Sequence, residues 1–299
     1  MIRINELVMG DREKNVLFAA SLNILFTIIE LIGGLLTNSL ALLADSLHDF
    51  GDSIALLVAW FAEKKAKKPA TSKMTFGYRR LSLFSALFVA VVLITGSLFI
   101  LSRAIPRLIN PEHVNAEGMI LIAIIGVIIN GLGFLRLKKG MSQNEKILSW
   151  HLLEDILGWL VLLIGAIIIK FWDNHIIDPI MTIGFTVFIL WGVSKNAKEI
   201  FNLLLEGVPG HIDIDKVKES VLSVKGVKKI HDMHVWSLEG ETDILTAHIV
   251  VEDTYLQEPD KIRQSIKSKL EKHHIEHSTL ELESEGFCSG TECIFELNK

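Results

Sequence analysis

A chain of 299 residues has room for two modest domains, and half of its residues are apolar against 22% charged, with a mean hydropathy of +0.41. That balance excludes a disordered chain and an ordinary soluble enzyme, and makes a membrane protein the expectation. The formal net charge of −5 leaves no basic face for nucleic acid, while two cysteines, Cys288 and Cys293, are too few for a secreted disulfide framework and fit a reducing, cytosolic tail.

In chain order, stretches approaching the roughly 20 apolar residues that a bilayer crossing needs occur at 15–37, 39–62, 82–103, 117–137, 147–171 and 178–195. Six spans place both termini on one side. The first follows a polar, charged stretch and has no small-residue cleavage site at its end, so it is expected to stay as a helix. The N-terminal arm (Arg3, Arg12, Lys14), the connection between spans 2 and 3 (Lys64 to Arg80) and that between spans 4 and 5 (Arg136, Lys138, Lys139, Lys146) are basic. The opposite side offers only Arg103, Arg107 and Lys170, so the excess of positive loops assigns both termini to the cytoplasm.

Beyond about residue 205 the pattern changes. Glu206-Gly207-Val208-Pro209-Gly210 interrupts the helical periodicity, giving a transmembrane domain over 1–205 and a cytoplasmic domain over 206–299. From residue 200 onward there are 19 acids against 11 bases, a net of −8 that leaves +3 for the membrane part. The tail reads as helix (213–223), strand (227–236), strand (243–252), helix (259–273) and strand (278–284), a small α+β sandwich. Regular alternation would put His231 with Met233 and Val235 on one face of its strand, and Asp232, His234 and Trp236 on the other.

An ionisable group at mid-membrane costs about 2.5–3.5 kcal/mol on insertion scales, so several in one span point to function. Span 2 carries Asp45, His48, Asp49 and Asp52. At 100° per residue they occupy about 100° of arc, one face of the helix. Span 5 repeats the chemistry with His151 and Asp155, stacked at i and i+4, and Glu154 beside them. Two His-x-x-x-Asp pairs can converge to offer two imidazole nitrogens and two carboxylate oxygens, a tetrahedral set that suits zinc better than the harder magnesium or calcium. A single pair could equally be an interhelical hydrogen-bond device, whereas two matched pairs favour the metal. Helix geometry alone does not exclude Asp45 or Asp49. Elsewhere in the spans, Asn130 reads as a hydrogen bond between helices, Asp178 before Pro179 as a cap of its own helix, and Gly33 with Gly34 as a site of close helix approach.

Glu30-Leu31-Ile32-Gly33-Gly34, Asn38-Ser39-Leu40-Ala41-Leu42-Leu43-Ala44-Asp45, and His48 with Asp52 resemble the first two spans of the cation diffusion facilitator family of zinc transporters. Thr75-Phe76-Gly77-Tyr78-Arg79-Arg80 is similar to that family's connection after span 2, His151-Leu152-Leu153-Glu154-Asp155 to its fifth span, and Asp178-Pro179 to the start of its sixth. His231-Asp232-Met233-His234-Val235-Trp236 and Ala247-His248 match its cytoplasmic domain. The resemblance implies a transport site of His48, Asp52, His151 and Asp155, leaving Asp45 outside it, and points to Glu30 as an acid that lines the cavity or stands behind the ligands. Asp49 stands where many members have an apolar residue, and reads as a proton-handling neighbour of the ligands or as a cavity wall. The chain departs from the family with Arg79-Arg80-Leu81-Ser82 after Tyr78 and with no histidine-rich stretch in the 2/3 connection, so no metal is expected there.

In the tail, the resemblance implies His231, His248 and Glu283 as metal ligands, joined by Cys288 and Cys293, with thiolate and imidazole again selecting zinc. His273, His274 and His277 read as solvated at a helix end, and His113, His175 and His211 as ordinary surface residues. The resemblance implies a homodimeric secondary transporter, with a ferredoxin-like or metallochaperone-like tail, that exports zinc from the cytoplasm in exchange for protons. No nucleotide-binding glycine-rich loop is present to suggest ATP drive. Two rivals stand beside it: a membrane metal sensor, which leaves the intramembrane ligands unexplained, and an intramembrane metalloenzyme, which would need an open coordination position and finds no His-Glu-x-x-His.

Overall fold

The computed structural model describes residues 24–66, 68–137, 143–284 and 286. Six helices come first: α1 (Ile24–Thr37), α2 (Leu40–Ala66), α3 (Leu81–Ile109), α4 (Ala116–Leu137), α5 (Gln143–Trp172) and α6 (Ile177–Leu204). By length and composition α3 to α6 can each cross a membrane. The described part of α1 is apolar but short. At 27 residues α2 is long enough, and its own acids, histidine and closing lysines reduce its apolar character. Large apolar side chains such as Leu36, Leu98, Phe171 and Trp172 point outward, a surface that water would not tolerate and that acyl chains solvate. The protein therefore has a helical transmembrane domain.

The chain divides into two compact units, one made of the residues up to Phe61 with Ser85–Asn196, the other of Ala62–Phe84 with everything from Ala197. In the first, Phe26, Leu42, Met119, Trp159, Leu162 and Ile169 form a buried core. The rings of Phe26 and Trp159 lie 5.3 Å apart, and a Cβ on Gly126 would strike the Trp159 indole. The glycine in α4 is thus what lets α5 approach. Gly33 works in the same way, since a Cβ there would run into Ile122 of α4.

The second unit holds α7 (Ile214–Leu222), β1 (Val227–Ser237), β2 (Asp243–Val251), α8 (Pro259–Leu270) and β3 (Ile275–Ser284). The sheet order is β1-β2-β3, with β1 and β2 antiparallel and β3 parallel to β2 after the α8 crossover. This is the small α+β domain expected from the sequence. Asp213 caps α7 by accepting from the backbone N–H groups of Asp215 and Lys216, and α8 buries Ile262, Ile266 and Leu270, spaced by four along one face. They pack on Ile230, Val235, Leu245 and Ile249 of the sheet. Helix α8 stops at Leu270 rather than 273, continues as a 3-10 turn over Glu271–His273, and ends on His274 in the left-handed region (φ 64°). That reversal starts β3 at Ile275, three positions earlier than its β-branched pattern suggested, and buries Ile275 in the core. The 2/3 connection belongs to this unit, where Arg79 donates to Glu239 and Thr242, and Arg80 to Glu206.

Candidate metal sites

In the membrane unit, His48 and Asp52 occupy successive turns of α2, as their i, i+4 spacing requires, with Nε2 and Oδ2 3.8 Å apart. Both side chains keep a little under a third of their surface open, 29% and 27%. Asp49 between them is buried and lies within electrostatic range of Asp155 on α5 as well as of His48 and Asp52. Asp45, one turn earlier, places Oδ1 3.9 Å from the point where a Cβ on Gly158 would stand, an ordinary van der Waals distance that sets the acidic face of α2 beside α5. Glu30 of α1 is fully enclosed, with Asp49, Asp45 and Asp155 as its charged neighbours. Three helices therefore bring one histidine and five carboxyl groups to one region. His151 lies on α5 one turn before Asp155, and its side chain is outside the described residues.

Two other intramembrane expectations are corrected. Asn130 donates to the Gly126 carbonyl of its own helix at 3.2 Å instead of bridging to another, since a short amide reaches the carbonyl four residues back. Asp178 does not cap α6: lying within its first turn, the carboxylate reaches across to the start of α2, accepting from Ser39 Oγ (2.5 Å) and from the N–H groups of Leu40 (3.0 Å) and Ala41 (3.3 Å). Outside the helices, His175 is half-buried rather than an ordinary surface residue, its Nδ1 accepting from the Val114 N–H at 3.3 Å and its ring centre 4.5 Å from that of His113.

The tail gathers its groups more tightly. Among the described residues, His231, His248 and Glu283 are the set whose ligand atoms all come within 4.8 Å of one another. Glu283, buried near the end of β3, meets His231 Nε2 at 3.0 Å through one oxygen and His248 Nδ1 at 2.6 Å through the other. A carboxylate shared by two imidazoles is the geometry from which a divalent ion could take two nitrogens and an oxygen.

The strand alternation expected for His231 and His234 fails here. Asp232 has φ 47° and sits in a bulge, so that His231 pairs with His248 and His234 with Thr246, two residues apart on β2. The extra residue puts both histidines on the same face of the sheet. It also turns Asp232 inward, 3.1 Å from His234 and 3.8 Å from His248, while Glu281, opposite His248 on β3, lies 3.6 Å from it. Nothing in His231-Asp232-Met233-His234 announces a bulge, so the sequence does not reveal Asp232 as a neighbour of the site. Glu281 was findable, being two residues from Glu283 and so on the same side of β3.

Cys288 and Cys293 lie outside the described residues. His273 meets Ser220 at 2.7 Å, His277 stacks edge-on against Phe76, and His211 meets Asp243 at 2.6 Å, so these three are held by local partners away from the cluster.

Residues 16–205 match the cation efflux transmembrane domain family, and residues 209–285 the cation efflux protein cytoplasmic domain family. The chain is 34% identical to the cadmium, cobalt and zinc/H(+)-K(+) antiporter of Bacillus subtilis over 281 residues, covering 92% of this chain and 90% of that one. It is 35% identical over 277 residues to the metal cation efflux system protein CzcD of Cupriavidus metallidurans, covering 92% and 87%. It is 33% identical over 288 residues to the zinc transporter ZitB of Escherichia coli, covering 95% and 91%.

Proposed function

The chain belongs to the cation diffusion facilitator family of metal-cation efflux transporters, and we propose that it exports zinc from the cytoplasm in exchange for protons through His48, Asp52, His151 and Asp155. It is an integral membrane transporter and not an enzyme. The observation that carries the reading is the polar face of α2: the His48–Asp52 pair stands partly open, with Asp45 beside Gly158 of α5 and Asp49 in electrostatic range of Asp155. Two imidazoles and two carboxylates supply the mixed nitrogen and oxygen shell that zinc prefers. The same groups bind protons when the ion leaves, so cargo and counter-ion compete for one set of atoms and exchange follows from that competition. The names of the relatives, which include zinc, cadmium, cobalt and protons, support this substrate class.

Both termini face the cytoplasm in this reading, by the basic connections. The tail holds a second zinc through His231, His248 and Glu283, with Cys288 and Cys293 completing the shell. That ion is not the cargo, and its role is to stabilise a homodimer and tune transport, because a ligand that binds one docked state raises the population of that state.

The test is zinc uptake by proteoliposomes of the purified protein under an imposed pH gradient. An acidic lumen should accelerate uptake, since protons leaving down their gradient drive the ion inward. Uptake insensitive to the gradient would refute proton exchange, and absence of flux for every divalent metal tried would refute the site.

A further inference from the structure

The turn between α1 and α2 is held from three other parts of the membrane unit. Arg107 of α3 donates through Nη1 to the Asn38 carbonyl (2.9 Å) and through Nη2 to Asn38 Oδ1 (2.7 Å). Asn115, just before α4, donates its N–H to the Thr37 carbonyl at 2.9 Å. Asp178 of α6 takes the Ser39 hydroxyl and two backbone N–H groups, and Ser39 Oγ in turn accepts from the Leu42 N–H at 3.2 Å. The first three N–H groups of α2 are thereby satisfied by a carboxylate from another span and the serine it holds. Asn38 adopts φ 55°, a left-handed conformation that its short amide tolerates and that the Arg107 contacts keep in place.

Asp178, Ser39, Thr37 and Thr182 are all essentially enclosed, at 0%, 0%, 3% and 0% exposure, so these hydrogen bonds do not compete with bulk water. Burying a carboxylate is costly unless it is fully hydrogen-bonded, and the N-terminus of a helix supplies both donors and roughly half a positive charge. Arg107 is a further charge acting on Asp178. The arrangement is thus stable only when α2 begins at Leu40, with its first turn facing Asp178.

From Ala41 to His48 is seven residues of unbroken helix, about 10 Å and two turns. A shift or rotation of α2 at its cap is transmitted rigidly to His48 and Asp52. We propose that Asp178 is a positioning residue for transport: by capping α2 from α6 it sets the height and rotation of the helix that carries His48 and Asp52, and with them the affinity and selectivity of the ion site. This rests on the assignment of those two residues as ligands.

Asp178→Asn is the sharpest variant, because every contact the two oxygens make is to a donor. An amide of the same shape must set its NH2 against one of them. Ser39→Ala is the milder companion, leaving the charge and removing one bond. In proteoliposomes of the full chain, Asp178→Asn should raise the KM for zinc about tenfold, as loss of a group that orients metal ligands does. It should also reduce the zinc-over-manganese preference several-fold, with Ser39→Ala shifting both in the same direction by less. Preference is a ratio measured on folded protein, so a merely structural role would lower thermal stability and leave it unmoved. Unchanged KM and preference in Asp178→Asn, or in Ser39→Ala should the first not fold, overturn the inference. His48→Ala is the control for the ligand assignment. If it changes zinc binding while the two cap variants do not, the positioning role alone fails. If His48→Ala binds zinc as before, the ligand assignment fails and the inference with it.

Discussion

The two candidate metal centres of this chain use the same donor types on opposite kinds of backbone. On α2 the spacing of His48 and Asp52 carries them to one face whatever surrounds the helix, but closing a site also needs α5, whose Gly158 lies beside Asp45. On the tail sheet, three strands bring His231, His248 and Glu283 together through backbone register, and a single bulged residue, Asp232, changes which side chains share the face. Helical ligands are open to rearrangement by a shift between spans, as a cargo site requires. Sheet ligands are fixed by hydrogen bonds between strands, as suits an ion that stays. The difference in construction matches the difference in proposed role.

The contrast breaks most severely if the membrane site tolerates loss of a ligand. Asp155→Ala should bring zinc flux in proteoliposomes down to the protein-free background, because it leaves the fourth position of the tetrahedral shell to water and weakens the site's hold on the ion. Wild-type flux in a well-folded variant would mean that the ion takes another route. The tail should behave in the opposite way. Glu283→Ala removes the carboxylate shared by both imidazoles, and should weaken zinc binding at that site about tenfold or more while flux persists with an altered response to cytoplasmic zinc. Calorimetric titration of the full chain in an Asp155→Ala background isolates the tail ion, and undiminished affinity there would remove Glu283 from the shell.

A smaller effect concerns selectivity. His48→Asp makes the membrane site richer in oxygen, so acceptance of manganese relative to zinc should rise several-fold in a competition assay. A constant ratio would move selectivity from donor chemistry to cavity shape. The smallest expected effect is on the tail's stability. The Lys216 side chain, together with the backbone N–H groups of Lys216 and Asp215, holds the Asp213 carboxyl below its usual range. A carboxyl depressed on folding stabilises the folded state above its ordinary pKa, and the benefit is lost as pH falls through the folded value. Asp213→Ala should therefore lower the tail's unfolding midpoint slightly at neutral pH and converge with the parent in strong acid. A gap that stays constant down to that range would show that the cap acts without its charge.

Much of this is legible in the sequence. The apolar runs became α3 to α6, the break after Glu206 precedes the α+β tail, and the four-residue spacing of Ile262, Ile266 and Leu270 marked the buried face of α8. Each is a local property: periodicity places side chains on a face irrespective of the partner. Where the structure differs from the sequence reading, the cause is mostly non-local or conformational. Asp178 before Pro179 carries every sign of a cap for its own helix, yet its acceptors are used by α2, a partner 137 residues away along the chain from Ala41. Asn130 went the other way and bonds within its own turn.

From the sequence alone came a membrane protein with a cytoplasmic-type tail, the His-x-x-x-Asp pairs and the histidines and acid of the sheet, because composition, helical repeat and donor chemistry belong to residues taken singly or in short windows. Only the tertiary structure decided that Asp178 anchors α2, that Asp45 lies beside Gly158 of α5, and that the bulge at Asp232 puts His231 and His234 on one face. The physical reason is the same in each case. A buried polar group takes whichever partner packing brings within about 3 Å, and short-range pattern carries no record of which distant segment that will be.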